Sequence, residues 1–338
     1  MHNLKNATML LAMLAGLALG SAQPAAAEVT EVRLARQYGL SYLPLIVMEE
    51  RKLIEKHAKA AGLGTIKVTW STLGGGAPMN EALLSNSIDF VSAGVAPMIT
   101  LWAKTNGAVK AVAPFDASPL YLNSSNPAVR TIRDLSDKDR IALPSPKLSI
   151  QAVVLQMATA KEFGQEQYAR LDRLTVAMKH PDAMVALLSG KSEITAHLTG
   201  PPFSSQELEA RPPRIHKVLD SYDVLGGPHT FNVLYGTSAF HQKNPRVSAA
   251  VFSALEDAIA IINRDKRAAA ELYIRVTRTR ESLGDVLALL NNPQTSYTTT
   301  PQNVTKFSSF MYRIGTIKSK PRDWKDLFFP NVHAKKGS

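Results

Sequence analysis

The sequence has no cysteine among its 338 residues. That excludes disulfide staples, thiolate metal sites and a lipid tether on an N-terminal cysteine. A chain of this size must then hold itself together with an apolar core, and its hydrophobic fraction of 45% is that of an ordinary globular protein. Aromatic residues are scarce, at 7%. Long apolar runs are missing too: Met9–Leu19 spans 11 residues, where a membrane crossing takes about 20. There is no Gly-x-Ser-x-Gly elbow and no His-Glu-x-x-His pair, and the eight histidines show no i, i+4 spacing. Serine-hydrolase and zinc-protease chemistry have no foothold in such a sequence.

The N-terminus reads as an export signal. Lys5 gives a basic start, Met9–Leu19 the apolar stretch, and Ala25-Ala26-Ala27 the small-residue cleavage pattern. Residues 1–27 are therefore expected to be removed by cleavage after Ala27. With no cysteine to tether it, the mature chain is expected to be free in the periplasm of a Gram-negative cell. The net charge of +11 concentrates anions near the surface. The basic residues are scattered, and the densest run, Arg275–Arg280, reads as a solvated helix end. Nucleic acid is not an expected partner of an exported chain.

From Val32 to Val112 the pattern repeats as strand, loop and helix. Val32–Ala35, Ile66–Trp70, Ile88–Val91 and Ala108–Val112 read as strands. Pro44, Pro78 and Pro97 mark the intervening helices, the first ending at Gly62. Such alternation predicts a mostly parallel sheet covered by helices, with ligands at the carboxyl ends of the strands. Tyr38, Gly75 and Gly94 fall at those ends.

A second copy of the pattern follows at an offset of 104 residues. Ala82-Leu83-Leu84-Ser85 is matched by Ala186-Leu187-Leu188-Ser189, Asp89 by Glu193 and Pro97 by Pro201. Two similar α/β lobes are the physical reading. The second would hold strands Ile141–Leu143, Leu174–Met178, Ile194–Leu198 and Ile215–Leu219. Its helices would be Ile150–Thr159, Pro181–Leu188 and Pro202–Glu209. Arg246–Ile274 reads as helix, the stretch beyond Pro321 as a peripheral tail, and Ala334–Ser338 as a loose end.

The order and spacing of several words resemble the solute-binding proteins of ABC importers, in their nitrate/sulfonate/taurine-type branch. These words are Tyr38-Gly39, Tyr42-Leu43-Pro44-Leu45, Gly74-Gly75-Gly76, Ala82-Leu83-Leu84 and Asp89-Phe90. The resemblance covers about residues 32 to 275. Asn86-Ser87 departs from it, standing where a glycine is usual. It implies a two-lobed periplasmic-binding-protein fold, type II-like, with a ligand cleft between the lobes. Lobe I would comprise residues 28–116 and 228–320, lobe II residues 117–227, and the tail residues 321–338. The crossings would lie near Ala113–Asn123 and Leu225–Thr230. The pyrimidine-forming enzymes of the thiamine pathway are similar, but they carry a cysteine-rich motif that this chain cannot reproduce.

Candidate ligand contacts follow from these positions. Tyr38 can stack on or hydrogen-bond a solute; Arg36 ranks behind it as a counter-charge. Gly75, within Gly74-Gly75-Gly76, allows close backbone approach ahead of a helix start. The repeat sets Ala93-Gly94 against His197-Leu198, which makes Gly94 and His197 candidates, with Thr199 as a hydroxyl donor. In the loop Ser145-Pro146-Lys147-Leu148-Ser149, Ser145 and Ser149 can meet an anion beside backbone N–H groups, and Lys147 can add charge. The plain alternatives are a helix cap for Ser149 and a solvent-facing charge for Lys147. Gly190-Lys191-Ser192 imitates the end of a phosphate loop but follows a helix, where glycine is a cap.

The expected function is a periplasmic receptor that closes on a small anion, such as a sulfonate, nitrate or a carboxylate. It would deliver that solute to an inner-membrane permease driven by a separate ATPase. A monomer without cofactor or catalytic activity is expected. Other readings are an aromatic or pyrimidine-like solute, a receptor that signals to a membrane sensor, and an exported enzyme using His197 with Asp89 or Glu193. Those two acids sit at strand starts, away from a cleft, which favours structural roles for both.

Overall fold

The computed structural model describes residues 27–211 and 214–338. The expected export signal therefore lies outside the described residues, apart from Ala27. In the first part of the chain β1 (Glu31–Arg36) leads to α1 (Leu43–Glu50) and α2 (Leu53–Ala60). Then β2 (Lys67–Thr72) leads to α3 (Gly76–Leu84), β3 (Phe90–Gly94) to α4 (Val95–Lys104), and β4 (Val109–Pro114) ends the run. The helix expected from Pro44 to Gly62 is two helices, because Lys52 adopts a left-handed φ of 51° and breaks the ladder.

The chain then enters a second sheet with β5 (Tyr121–Ser124) and β6 (Ile141–Leu143), followed by α5 (Ile150–Phe163). Next come β7 (Thr175–Ala177), α6 (His180–Ser189), β8 (Ala196–Thr199), α7 (Phe203–Glu209), β9 (His216–Asp220) and the short α8 (Ser221–Leu225). It returns to the first sheet as β10 (Asn232–Thr237) and finishes in helices α9 (Ser238–Lys243), α10 (Pro245–Arg264), α11 (Lys266–Thr277), α12 (Leu283–Asn291) and α13 (Val304–Arg313). The continuous helix expected over Arg246–Ile274 is divided at Asp265, whose side chain accepts from the Ala268 N–H and caps the new helix.

Each lobe is built on five strands in equivalent orders, β2-β1-β3-β10-β4 and β7-β6-β8-β5-β9. The sheets are mixed rather than mostly parallel. β10 runs antiparallel between β3 and β4, and β5 runs antiparallel between β8 and β9. The two unexpected strands are thus the ones that arrive from the other lobe, so the strand–helix rhythm gives no sign of them. Asp89 and Glu193 hold matching structural places. Asp89 takes a bidentate bond from Arg33 at 2.7 and 3.1 Å, and Glu193 lies 3.9 Å from Arg140.

The C-terminal stretch corrects the expectation of a peripheral tail. Phe328 bridges Ala111 on β4, Phe329 N–H donates to the Ala111 carbonyl at 2.9 Å, and Trp102 Nε1 donates to the Asp326 carbonyl at 3.0 Å. Leu327, Phe328, Phe329 and Val332 are buried. The segment covers the open edge of the first sheet, where unpaired backbone groups and apolar side chains both gain from a partner. Ser338 is tied as well: its carbonyl accepts from Val304 N–H at 2.7 Å and its N–H donates to Pro301 at 3.1 Å.

Candidate functional site

The carboxyl ends of β1, β3, β6 and β8 face one another across the gap between the lobes. Several helices begin there, among them α3 at Gly76, α4 at Val95, α5 at Ile150 and α6 at His180. Only α5 is closed by a side chain, with Ser149 Oγ accepting from Ala152 N–H at 3.2 Å. The starts of α3, α4 and α6 carry no side-chain cap. First-turn N–H groups and the aligned peptide dipoles make such ends favourable surroundings for negative charge.

These elements enclose a cavity of about 20 Å³. Its walls combine amides (Gln37, Gln151, Asn232), hydroxyls (Ser41, Ser149, Thr199) and rings (Tyr38, Tyr42, His180, Phe203, Phe231). No lysine, arginine or carboxylate lines it among the described residues. Ser41 Oγ is buried beside the Asp116 carboxylate. Gln37 Nε2 is held by the Ser92 carbonyl at 3.0 Å, and Tyr42 OH donates to Asn232 Oδ1 at 2.9 Å. Asn232 passes this on, donating through Nδ2 to the buried Asp116 at 3.0 Å. Burial raises the Asp116 carboxyl from 3.8 to about 7, against the opposing hydrogen bonds from Asn232 and Ser118.

A larger chamber of about 540 Å³ adjoins the cavity and shares Gln37, Tyr38 and Phe203 with it. Arg36, Arg278 and Arg280 stand on its walls with Tyr273 and Met184. Arg36 is paired with Glu49 at 3.2 Å. The basic run at Arg275–Arg280 thus borders the approach to the cleft, where Arg278 and Arg280 are exposed.

The expected site residues divide into three groups. Tyr38, Gly94, Ser149 and Thr199 line the inner cavity. Gly75 and Ser145 do not; they meet each other where the lobes touch. A side chain added at Gly75 would come within 2.9 Å of Ser145 Oγ, and Gly75 has a φ of 121° that favours glycine. Lys147 and His197 are absent from the lining for opposite reasons. Lys147 is an exposed residue in a left-handed turn, φ 63°. His197 is wholly buried behind the cleft. Its Nδ1 lies 2.5 Å from Glu207 Oε1 and its Nε2 lies 2.8 Å from His180 Nδ1.

Sequence reasoning missed several cleft residues, among them Gln37, Ser41, Gln151, Asn232 and His180. The His180 ring bonds Thr199 Oγ1 at 3.1 Å and Gln151 at 3.2 Å, and stacks on Phe203 with centroids 5.7 Å apart. Burial and the neighbouring His197 hold its pKa well below 6.5. The signal was present: moving the 104-residue offset back to the helix start sets His180 against Gly76, and both line the cavity.

No protein-family model and no curated protein matches the sequence. Solved structures match in fold. The alkanesulfonate-binding protein SsuA of Xanthomonas axonopodis pv. citri, bound to MOPS, aligns over 86% of this chain and 96% of its own, with 20% identity and a TM-score of 0.67. The periplasmic nitrate-binding protein NrtA of Synechocystis PCC 6803 aligns over 89% and 84%, with 14% identity and a TM-score of 0.63. A Candida albicans protein described as having the generic periplasmic binding protein fold aligns over 89% and 96%, with 15% identity and a TM-score of 0.64. The chain is therefore a two-lobed α/β protein with the periplasmic-binding-protein fold.

Proposed function

We propose that the chain is the periplasmic receptor of an ABC importer and that its solute is a small anion. The observation that carries this reading is the meeting of helix starts, drawn from both lobes, on a cavity with no carboxylate in its walls. An oxyanion there would be held by backbone N–H groups and by the hydroxyls of Ser41, Ser149 and Thr199. The solved sulfonate- and nitrate-binding proteins of the same fold agree with this chemistry.

The inner cavity, about 20 Å³, is near the room of a single water. A sulfonate or carboxylate enters when the lobes part, and the chamber beside Tyr38 is its approach. Binding draws the population toward the closed form by the difference in affinity between the two forms. The closed monomer then docks on an inner-membrane permease powered by a separate ATPase. Residues 1–27 direct the chain to the periplasm and are removed.

An aromatic or pyrimidine-like solute is the second reading. It is favoured by the gathering of Tyr38, Tyr42, His180, Phe203 and Phe231 at the cleft, a concentration that overall composition hides. A cleft enzyme has less support, since Asp89 and Glu193 are engaged with arginines at the opposite ends of their strands.

Thermal unfolding of the chain lacking residues 1–27, titrated with ethanesulfonate, nitrate, succinate and uracil, tests the proposal. Stabilisation by one of the anions, recovered unchanged, supports it. Stabilisation by uracil alone replaces the anion with the second reading, and chemical conversion of a bound molecule overturns the receptor.

A further inference from the structure

Behind the cleft wall of lobe II runs a chain of buried polar groups drawn from five elements. Asn123 on β5 donates through Nδ2 to Glu207 Oε2 at 2.9 Å and to the Ser204 carbonyl at 2.9 Å. Glu207 on α7 meets His197 on β8 at 2.5 Å, and His197 meets His180 at the start of α6 at 2.8 Å. Gln151 on α5 closes the chain, its side-chain Nε2 donating to His180 Nε2 at 3.2 Å, and Thr199 Oγ1 lies 3.1 Å from His180 Nδ1. Asn123, His197 and Glu207 have no exposure, and His180 alone among the three ionisable members reaches the cavity.

Only one proton fits between His197 Nε2 and His180 Nδ1, so the chain has a direction. In one arrangement His180 Nδ1–H donates inward, and its Nε2 lone pair accepts from the Gln151 amide, so the ring offers the cleft no donor. In the other His197 is an imidazolium. It donates to Glu207 through Nδ1 and to His180 through Nε2, which leaves His180 with its proton on Nε2, facing the cleft once the Gln151 amide turns its N–H2 away. The second arrangement holds one more proton and neutralises a carboxylate that is otherwise costly to bury. An anion needs the donor, which the first arrangement lacks.

We propose that Glu207, acting through His197, sets His180 as the hydrogen-bond donor of the cleft, so that anion binding is linked to the proton held by this chain. The proposal rests on the anion-receptor reading above. The titratable groups facing one another are Glu207 from α7, His197 from β8 and His180 from α6; α5 and β5 contribute the neutral Gln151 and Asn123. Glu207 and His197 are positioning residues here; His180 is the residue that touches solute.

The experiment has two independent readouts on the mature chain. The first needs no solute: two-bond ¹H–¹⁵N spectra of ¹⁵N-histidine-labelled protein from pH 5 to 9 report which ring nitrogen of His180 carries hydrogen. The expected result is a proton on Nε2 at acidic pH that moves to Nδ1 as pH rises, and a proton on Nδ1 throughout in Glu207→Gln. The second is calorimetry with ethanesulfonate over the same range in buffers of different ionisation enthalpy. Affinity should fall about tenfold per pH unit above the midpoint seen by NMR, with uptake approaching one proton. His180→Gln, at the cleft wall, keeps an N–H donor without the chain and should bind with no pH dependence even if Glu207→Gln fails to fold. Flat wild-type affinity without proton uptake, or the same slope in His180→Gln, overturns the proposal. Should ethanesulfonate not bind the wild type, the sulfonate reading falls, and the spectra decide the relay. An Nε2 proton lost in Glu207→Gln upholds it, and an Nδ1 proton at every pH in the wild type refutes it.

Discussion

Gly76 and His180 occupy the same place in two copies of one topology, 104 residues apart at the start of the helix after the second strand of each copy. Lobe I brings backbone to the cleft there, and lobe II brings a ring backed by buried charge. The same contrast runs through the neighbouring contacts. A side chain added at Gly94 on lobe I would come within 2.5 Å of Ile150 on lobe II, and one at Gly75 within 2.9 Å of Ser145. Glycine on one side permits close approach, and side chains on the other fill the space. Duplicated scaffolds can thus divide labour, one lobe supplying fit and the other chemistry, while strand order and helix placement stay alike.

The largest expected effect comes from the chemical side. Glu207→Leu would take the acceptor from His197 Nδ1 and from one of the two Asn123 side-chain N–H groups in the core, which should cost about 3–5 kcal/mol of stability, seen in urea unfolding. Gly76→Ala disturbs no buried charge but drives a methyl into the Pro97 ring, and overpacking there should cost about 1–3 kcal/mol.

Two buried groups near the crossings pull stability in opposite directions with pH. The fold holds the Asp116 proton more tightly than the unfolded chain does, raising its value from 3.8 to about 7. Its contribution is full below about pH 4 and is lost as pH rises through about 7. Burial lowers His229 from 6.5 to about 4, so its contribution is full above pH 6.5 and is lost as pH falls through about 4. The two slopes nearly cancel between pH 4 and 6.5. Relative to the wild type, Asp116→Asn should therefore tilt the slope of stability against pH upward across that window, and His229→Asn should tilt it downward. Each change is on the order of 3 kcal/mol, measured by unfolding at pH 4, 5.5 and 7. Parallel slopes in both variants would contradict the assignment.

Gly94→Ala probes fit alone, since its φ of −54° suits any residue. Crowding against Ile150 should cost about 1–3 kcal/mol on closure. The expected result is solute binding weakened about 5- to 100-fold, with the melting temperature of the free protein changing far less. The smallest effect is expected at Lys147, which is exposed and outside both cavities: Lys147→Ala should change affinity by less than about twofold.

Much of the scaffold was legible because strand and helix periods and proline starts are local. Ile141–Leu143 coincides with β6, and the other expected strands fall within three residues of the observed ends. β5 and β10 were not legible, because their place depends on pairing with strands about 70 to 140 residues away in sequence. The site was half legible. Tyr38, Gly94, Ser149 and Thr199 stand at strand ends or helix starts, where position alone points to a cleft. His197 sits on β8 with its side chain on the inner side, and nothing local tells that His180 lies between it and the solute. Lys147 invited an electrostatic reading, but its left-handed turn leaves it outside the lining.

The most direct test of the receptor is native mass spectrometry of the mature chain, purified from the periplasm of its own cells and then denatured to release what it carries. A single small anion, bound one to one, released unchanged and lost in Gly94→Ala, is the expected result. A bound neutral molecule, or no molecule in either protein together with no stabilisation by any anion of the panel, would contradict the account.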